Sequence, residues 1–144
     1  MLFRSIRTEM GDITRMIPIG NSPHLPASVR QWTGDPRGHW EGDTLVVEST
    51  NFRVGPRSRF GVQLDAMTDE NLRIVERFTR TNADTIVYRA TVEDPTVFSK
   101  PWTVEIAMNK TDGPIYEYAC HEGNYGMKGI LAGFRADEKK AAGK

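Results

Sequence analysis

Glu76 is the acidic residue whose position points most directly to acid–base chemistry. A two-residue period runs through Leu72–Thr81, so Glu76 lies on the same strand face as the apolar side chains of that segment and is expected to point inward. Burial disfavours a charged carboxylate and raises its pKa, which suits a general acid or base near neutral pH. Two alternatives remain open: a buried ion pair with an inward arginine such as Arg15 or Arg89, and a bulge that turns Glu76 outward.

A second group of candidate catalytic residues lies near the C-terminus, in the segment Tyr116–Tyr125, which is dense in polar and aromatic side chains. On an extended strand Glu117 and His121 point the same way, about 13 Å apart at ~3.3 Å per residue, so both can line one cavity without touching. His121 would lie at the strand end. There it is either a functional group at the mouth of the barrel or a structural histidine that is hydrogen-bonded to a backbone carbonyl. The candidate catalytic residues are therefore Glu76, Glu117, His121 and Tyr118.

A metal centre is a more specific alternative to acid–base catalysis by side chains alone. His24, His39 and His121 with one carboxylate can complete a mononuclear site, although no pair has the His-x-His or His-x-x-x-His spacing of a strong metal motif. We therefore expect no cofactor, with one divalent metal ion as the alternative. Cys120 adjoins His121, but neighbouring strand residues point to opposite faces, so a buried structural cysteine is expected rather than a nucleophile.

Composition excludes several classes of function. The chain has 144 residues with 19 Lys+Arg against 19 Asp+Glu, and this zero net charge argues against nucleic acid as a partner. No apolar run approaches the roughly 20 residues needed to span a bilayer, and a single cysteine excludes an intrachain disulfide. There is no Gly-x-Gly-x-x-Gly, Walker or Gly-x-Ser-x-Gly motif. The arginines at 53, 57 and 59 can grip an anion, but such an exposed loop is usually solvated.

The elements that must position these residues have a period of two rather than 3.6. Strands are predicted at Asp12–Ile19, Thr44–Phe52, Leu72–Thr81, Thr85–Val92, Trp102–Asn109 and Ile115–His121. Trp40 precedes the tight turn Glu41-Gly42-Asp43, which predicts a hairpin, whereas the proline- and glycine-rich stretch Gly20–Gly38 is expected to be an ordered surface loop. Six or seven strands joined by turns favour an antiparallel meander.

Such a meander must close or cover its edge strands. The predicted fold is all-β, with the meander closing into a small lipocalin-like barrel and a sandwich as the second choice. Helical spacing predicts a short C-terminal helix packed against one barrel end, through Met127, Ile130, Leu131 and Phe134. Residues Ala136–Lys144 are expected to be frayed. The length suits one domain, 1–144, with 1–11 and 136–144 peripheral.

Several blocks together resemble an uncharacterised bacterial family found in acidobacterial and environmental genomes. In chain order they are Pro23-His24, the WEGDTLVV block within Gly38–Glu48, the VERF block ending Leu72–Phe78, the DPxxxxxPWT block Asp94–Thr103, and EYACHEGNY at Glu117–Tyr125. The match extends from about Ile17 to Leu131, and residues 1–11 depart from it. The N-terminus has no apolar signal core, so either the protein is cytosolic or this chain starts after a removed or missing leader. The resemblance implies the second, an exported bacterial protein.

The resemblance also places polar and aromatic side chains in motif positions, without implying a known activity. The candidate ligand-binding residues are His24, Trp40, Asp43, Arg77, Glu122 and Asn124. His24 and Asp43 are expected at the mouth of the barrel.

Three functions fit these observations. The first is an enzyme that uses a barrel pocket and side-chain acid–base chemistry, of the isomerase, lyase, hydratase or cyclase type, without an organic cofactor. The second is a noncatalytic binding module for a small ligand or a sugar. The third is a mononuclear metal-dependent enzyme built on His24 and His121. The expected partner is a small molecule, with no nucleic acid and no membrane span, and the chain can form a homo-oligomer.

Overall fold

The architecture is a curled half-barrel of seven strands followed by one helix, seen in a computed structural model that describes residues 2–53, 69–119 and 125–143. The strands are β1 Leu2–Thr8, β2 Ile13–Ile19, β3 Asp35–Glu41, β4 Thr44–Thr50, β5 Arg73–Arg80, β6 Thr85–Glu93 and β7 Trp102–Asn109. They follow one another across the sheet in chain order, and every neighbouring pair is antiparallel except β2 and β3. The all-β prediction is confirmed.

The β2–β3 junction is the narrowest in the sheet. These strands run parallel and pair only at Ile19 and Gly38, across the connection of residues 20–34. Gly38 is needed here because a Cβ at that position would lie 2.7 Å from Ile19 Cδ1 and 2.8 Å from Ile17 Cγ2. The absence of a side chain therefore lets β2 pack directly against β3.

Alternation along the strands sends one set of side chains to the inner face. Two apolar clusters form there, one of Phe52, Leu72, Ile74 and Val92, the other of Ile17, Leu45 and Val47. Glu76 pairs in register with Val47 on one side and Ala90 on the other, so its carboxylate lies among these apolar residues. The predicted inward orientation of Glu76 is confirmed.

Several predicted boundaries were wrong. Leu2–Thr8 forms β1, an exposed edge strand that the sequence did not suggest, and β3 begins at Asp35, inside the predicted loop Gly20–Gly38. Residues 115–119 of the predicted strand Ile115–His121 are irregular and exposed, and none of the seven described strands pairs with them. Instead, the backbone N–H of Tyr116 donates to a Glu9 carboxylate oxygen at 3.2 Å.

The helix α1 spans Gly126–Ala142, so the predicted C-terminal helix is confirmed but is longer than expected. The segment that was predicted to fray continues it, because alanine, lysine and glutamate all favour helix. The predicted packing against the barrel is not observed. Met127, Ile130, Leu131 and Phe134 are 45% to 68% exposed, and no described residue of α1 is buried. Within the described residues, no helix combines the length and hydropathy required to cross a bilayer.

The close approach at Gly38 generates a stability prediction. Gly38→Ala should lower the free energy of unfolding by about 1–3 kcal/mol, because the new methyl group must displace buried Ile17 or its neighbour Ile19. Gly113→Ala is the matched control: no heavy atom lies within 4 Å of the added Cβ, and a change within about 0.5 kcal/mol is expected. Denaturant unfolding of both variants checks this, and equal effects would contradict the proposed packing at Gly38.

Candidate functional site

Glu76 is a fully buried carboxylate of the inner face, with 1% of its surface exposed. Its two oxygens accept hydrogen bonds from both terminal nitrogens of Arg15, Nη1 to Oε2 at 2.6 Å and Nη2 to Oε1 at 3.0 Å. The hydroxyl of Tyr88 donates a third hydrogen bond to Oε1 at 3.0 Å. This parallel two-bond geometry is the strongest form of an arginine–carboxylate contact.

These contacts match the ion-pair alternative for Glu76, with Arg15 as the partner. Arg89 lies on the opposite face and donates to Glu105 instead. Burial, together with the neighbouring Glu76 carboxylate, raises the pKa of the Tyr88 hydroxyl well above its usual range. Tyr88 therefore stays protonated and donates its hydrogen bond. These contacts indicate that the cluster of Arg15, Glu76 and Tyr88 stabilises the sheet.

A second polar cluster ties the connection of residues 20–34 to β3 through Asp35, whose side chain is 3% exposed. Asp35 Oδ2 accepts from the Leu25 backbone N–H at 2.8 Å and lies 3.1 Å from His24 Nδ1, while Oδ1 accepts from Arg37 Nη1 at 2.5 Å. Arg37 Nε also donates to the carbonyl oxygen of Pro23 at 2.9 Å. If Nδ1 carries the proton toward Asp35, Nε2 of His24 is left as the basic nitrogen.

The other ring nitrogen of His24 faces the outer surface of the sheet. Nε2 lies 3.8 Å from Glu48 Oε1, and both Glu48 oxygens accept from Arg73, each at 2.9 Å. Hydrogen bonding from Arg73 holds the pKa of Glu48 below its usual range, with a smaller contribution from the charge of His24, while burial opposes the shift. Arg73 also donates to Glu93 at 2.7 Å, and both acidic partners raise the pKa of the guanidinium further.

The rim of the half-barrel carries an open depression of about 650 Å³ where the β3–β4 and β5–β6 turns lie side by side. The Thr44–Thr79 register brings these turns together. Its lining consists of Trp40, Gly42, Asp43, Arg80, Thr81, Asn82 and Ala83. The structure thus brings together two sequence-predicted residues, Trp40 and Asp43. It adds Arg80 and Asn82, which lie at the turn between the predicted strands Leu72–Thr81 and Thr85–Val92. Pairing these two strands as a hairpin would have placed both residues at the rim.

The remaining predicted residues are dispersed. Arg77 donates to Glu41 at 2.6 Å on the outer face, and His39 Nε2 lies 3.1 Å from the other oxygen of Glu41. Glu117 and Tyr118 are exposed in the irregular segment 110–119, where the strand geometry that would have aligned Glu117 with His121 is absent as far as residue 119. The positions that lie outside the described residues are Cys120, His121, Glu122 and Asn124, together with the arginines at 57 and 59.

Metal coordination was the alternative for the three histidines. Among residues 2–53, 69–119 and 125–143, no three His, Cys, Asp or Glu side chains are grouped as a metal ion requires. His24 lies against Asp35 and Glu48, and His39 lies against Glu41. His121, the third histidine of the alternative site, belongs to the part that is not described.

The fold and these clusters define an all-β half-barrel protein with a polar rim and a buried interior ion pair. Comparisons with protein-family models, with curated proteins and with solved structures gave no match.

The buried ion pair generates a prediction about stability. Glu76→Gln leaves the Arg15 guanidinium facing a neutral amide in an apolar interior, and we expect a loss of about 3–5 kcal/mol in the free energy of unfolding. Tyr88→Phe removes one hydrogen bond and should cost only about 1 kcal/mol. Chemical denaturation measures both changes.

Arg7→Gln is the matched control, since the Arg7–Asp12 pair is exposed and should contribute less than about 1 kcal/mol. A loss in Glu76→Gln no larger than that in Arg7→Gln would show that the interior pair does not hold the sheet.

The lowered pKa of Glu48 generates a prediction about pH. Its folded-state pKa is below the unfolded value of about 4.3, so its stabilising contribution is fully present above that value. The contribution is lost as the pH falls through the folded-state pKa of Glu48. The reason is that Glu48 binds a proton more tightly in the unfolded chain than in the folded one. The stability difference between wild type and Glu48→Gln should therefore shrink on acidification below about pH 4.3. Thermal unfolding at stepped pH measures it, and a difference that is independent of pH in this range would contradict the Arg73–Glu48 contact.

Proposed function

We propose that this chain is a noncatalytic binding module for a small saccharide, with the rim depression as its binding site. The observation that carries the proposal is the half-exposed indole of Trp40 beside the polar side chains of Asp43, Arg80 and Asn82. This corresponds to the sugar-binding alternative drawn from the sequence, now assigned to specific residues.

The chemistry of these side chains suits a saccharide. The flat indole offers an apolar surface on which the C–H face of a sugar ring can stack, and it loses little conformational entropy on binding because the side chain has only two rotatable bonds. Carboxylate, amide and guanidinium groups supply the acceptors and donors that ring hydroxyls require. Arg80 is already oriented, since it donates to the backbone carbonyls of Asn82 and Ala83 at 3.1 and 2.9 Å.

The shape of the site favours binding over catalysis. The depression is open to solvent, whereas acid–base catalysis gains from a site that excludes water around the reacting atoms. Glu76, the foremost candidate acid or base, is buried with both oxygens bonded to Arg15. A ligand that reached this carboxylate would have to displace a buried two-bond ion pair.

An acid–base enzyme of the isomerase or lyase type is the second candidate, and one contact favours it. The buried carboxylate of Asp35 lies 3.1 Å from Nδ1 of the partly exposed His24 ring. A carboxylate in this position can fix the tautomer and orientation of the ring and leave Nε2 to accept a proton. In this candidate His24, rather than Glu76, is the general base.

Substitution of Trp40 tests the binding site. Protein-observed NMR titrations with glucose, galactose and cellobiose should show shifts at the rim, and Trp40→Ala should weaken them by about threefold to tenfold, the loss of one aromatic contact. Trp32→Ala is the matched control, because Trp32 is 53% exposed against 50% for Trp40 but packs against Arg53. No titration at the rim, or equal weakening by both substitutions, would refute the proposed site.

The same samples separate binding from catalysis. The NMR spectrum of the bound sugar should stay unchanged over a day if the chain only binds it. Conversion of the sugar that is lost in His24→Gln would favour the enzyme candidate instead.

A further inference from the structure

Two arginines face each other on the outer surface of the sheet, next to the rim. Arg77 of β5 and Arg89 of β6 are directly opposite in the strand register and point to the same face. Side chains in such positions have Cβ atoms about 4.5–5.5 Å apart, and like charges placed there repel each other. Two flanking acids offset the repulsion: Arg77 contacts Glu41, and Arg89 contacts Glu105.

The flanking acids use only part of the hydrogen-bonding capacity of these arginines. Arg77 donates to Glu41 through Nη2 alone, and Arg89 donates to a single oxygen of Glu105 through Nε and Nη2. Each guanidinium has five N–H donors in a planar fork. Both arginines therefore keep donors for a further acceptor. Glu105 lies on β7 beyond Arg89, and Glu41 lies on β3, two strands from Arg77 and two residues out of register with it, so neither carboxylate lies between the two cations.

The space beside the arginines can hold such an acceptor. A depression of about 270 Å³ is lined by Arg77, Thr79, Thr81, Val87, Arg89 and Glu105. Thr81 also lines the Trp40 depression, so the two adjoin at the end of β5. The two depressions open on different faces, because Trp40 is in register with the inward residues Leu45 and Phe78 whereas Arg77 and Arg89 point outward. A ligand that fills both must pass over the rim at Thr81.

We propose that Arg77 and Arg89 together bind an oxyanion, the carboxylate or sulfate group of an acidic saccharide, in this second depression. The identification of the anion as part of a saccharide rests on the proposed function, whereas the oxyanion site is argued from the arginine pair alone. An anion between the guanidinium groups removes their mutual repulsion and accepts hydrogen bonds from both forks. Binding should weaken at high ionic strength, since the side chain of Arg77 is partly exposed and that of Arg89 is more than half exposed.

The experiment compares glucuronate with glucose, which differ at one carbon, and uses inorganic sulfate as the probe of the anion site alone. Titrations followed through the Arg Nε–H resonances of the wild-type protein should show that sulfate shifts Arg77 and Arg89. Glucuronate should bind more tightly than glucose. In Arg77→Gln/Arg89→Gln that preference should disappear, with glucuronate binding weakened roughly tenfold. Arg4→Gln/Arg7→Gln, which removes the same charge from exposed β1, should retain it.

The outcomes separate this inference from the proposed function. Sulfate shifts at Arg77 and Arg89 without any sugar binding would support the anion site and refute the saccharide proposal. An equal affinity for the two sugars, a preference that survives in Arg77→Gln/Arg89→Gln, or sulfate shifts spread evenly over exposed arginines would overturn the inference. The wild-type sulfate titration decides the point even if the double variant does not fold.

Discussion

The Arg15–Glu76 ion pair is the contact on which the continuity of the sheet depends. Every other neighbouring pair of strands is joined by a ladder of several residues, but β2 and β3 pair only at Ile19 and Gly38. The β1–β2 hairpin would be weakly attached through this junction alone. Arg15 reaches from β2 across the inner face to β5, and Ile17 packs against Leu45 and Val47 of β4. Both contacts attach the β1–β2 hairpin to the rest of the sheet independently of the β2–β3 pairing.

A buried ion pair is a costly way to join two elements, and its geometry explains why it is tolerated. Charges taken out of water lose several kcal/mol of hydration each, which is recovered only when the groups are well oriented and their remaining hydrogen-bonding atoms are satisfied. Here both carboxylate oxygens are bonded to the guanidinium, and Tyr88 bonds one of them again. Such a pair specifies alignment more than it adds stability. A β2 strand shifted by one residue would turn Arg15 to the outer face.

The parts of the fold that could be predicted are those in which one side chain pattern dominates. Alternation identifies β5, β6 and β7, and it places Glu76 inward with Arg15 among the possible partners. The hairpin of β3 and β4 was predicted, but the start of β3 was missed because Pro36 and Gly38 are typical of loops. Gly38 is required by the packing of β2, which only the tertiary structure reveals. β1 was missed because an exposed edge strand has little hydrophobic pattern. Conversely, residues 115–119 alternate well but pair with none of the described strands, and a local sequence pattern cannot indicate whether a partner strand is present.

The candidate site follows from the same register. Inside the sheet, strand alternation leaves Glu76 no contact with solvent, so polar chemistry open to a ligand is found where the strands end or on the outer face. The antiparallel register aligns the β3–β4 and β5–β6 turns, so Trp40 and Asp43 meet Arg80 and Asn82 although about forty residues separate the two turns in sequence. Two residues beyond the Thr44–Thr79 pair, the same register sets Arg77 opposite Arg89 on the outer face. The zero net charge of the chain therefore conceals two neighbouring basic side chains on the outer face, each paired with a carboxylate from a different strand, Glu41 of β3 or Glu105 of β7. Neither carboxylate lies between the two guanidinium groups in strand order, so each acid offsets the repulsion between the arginines from the flank rather than from between them.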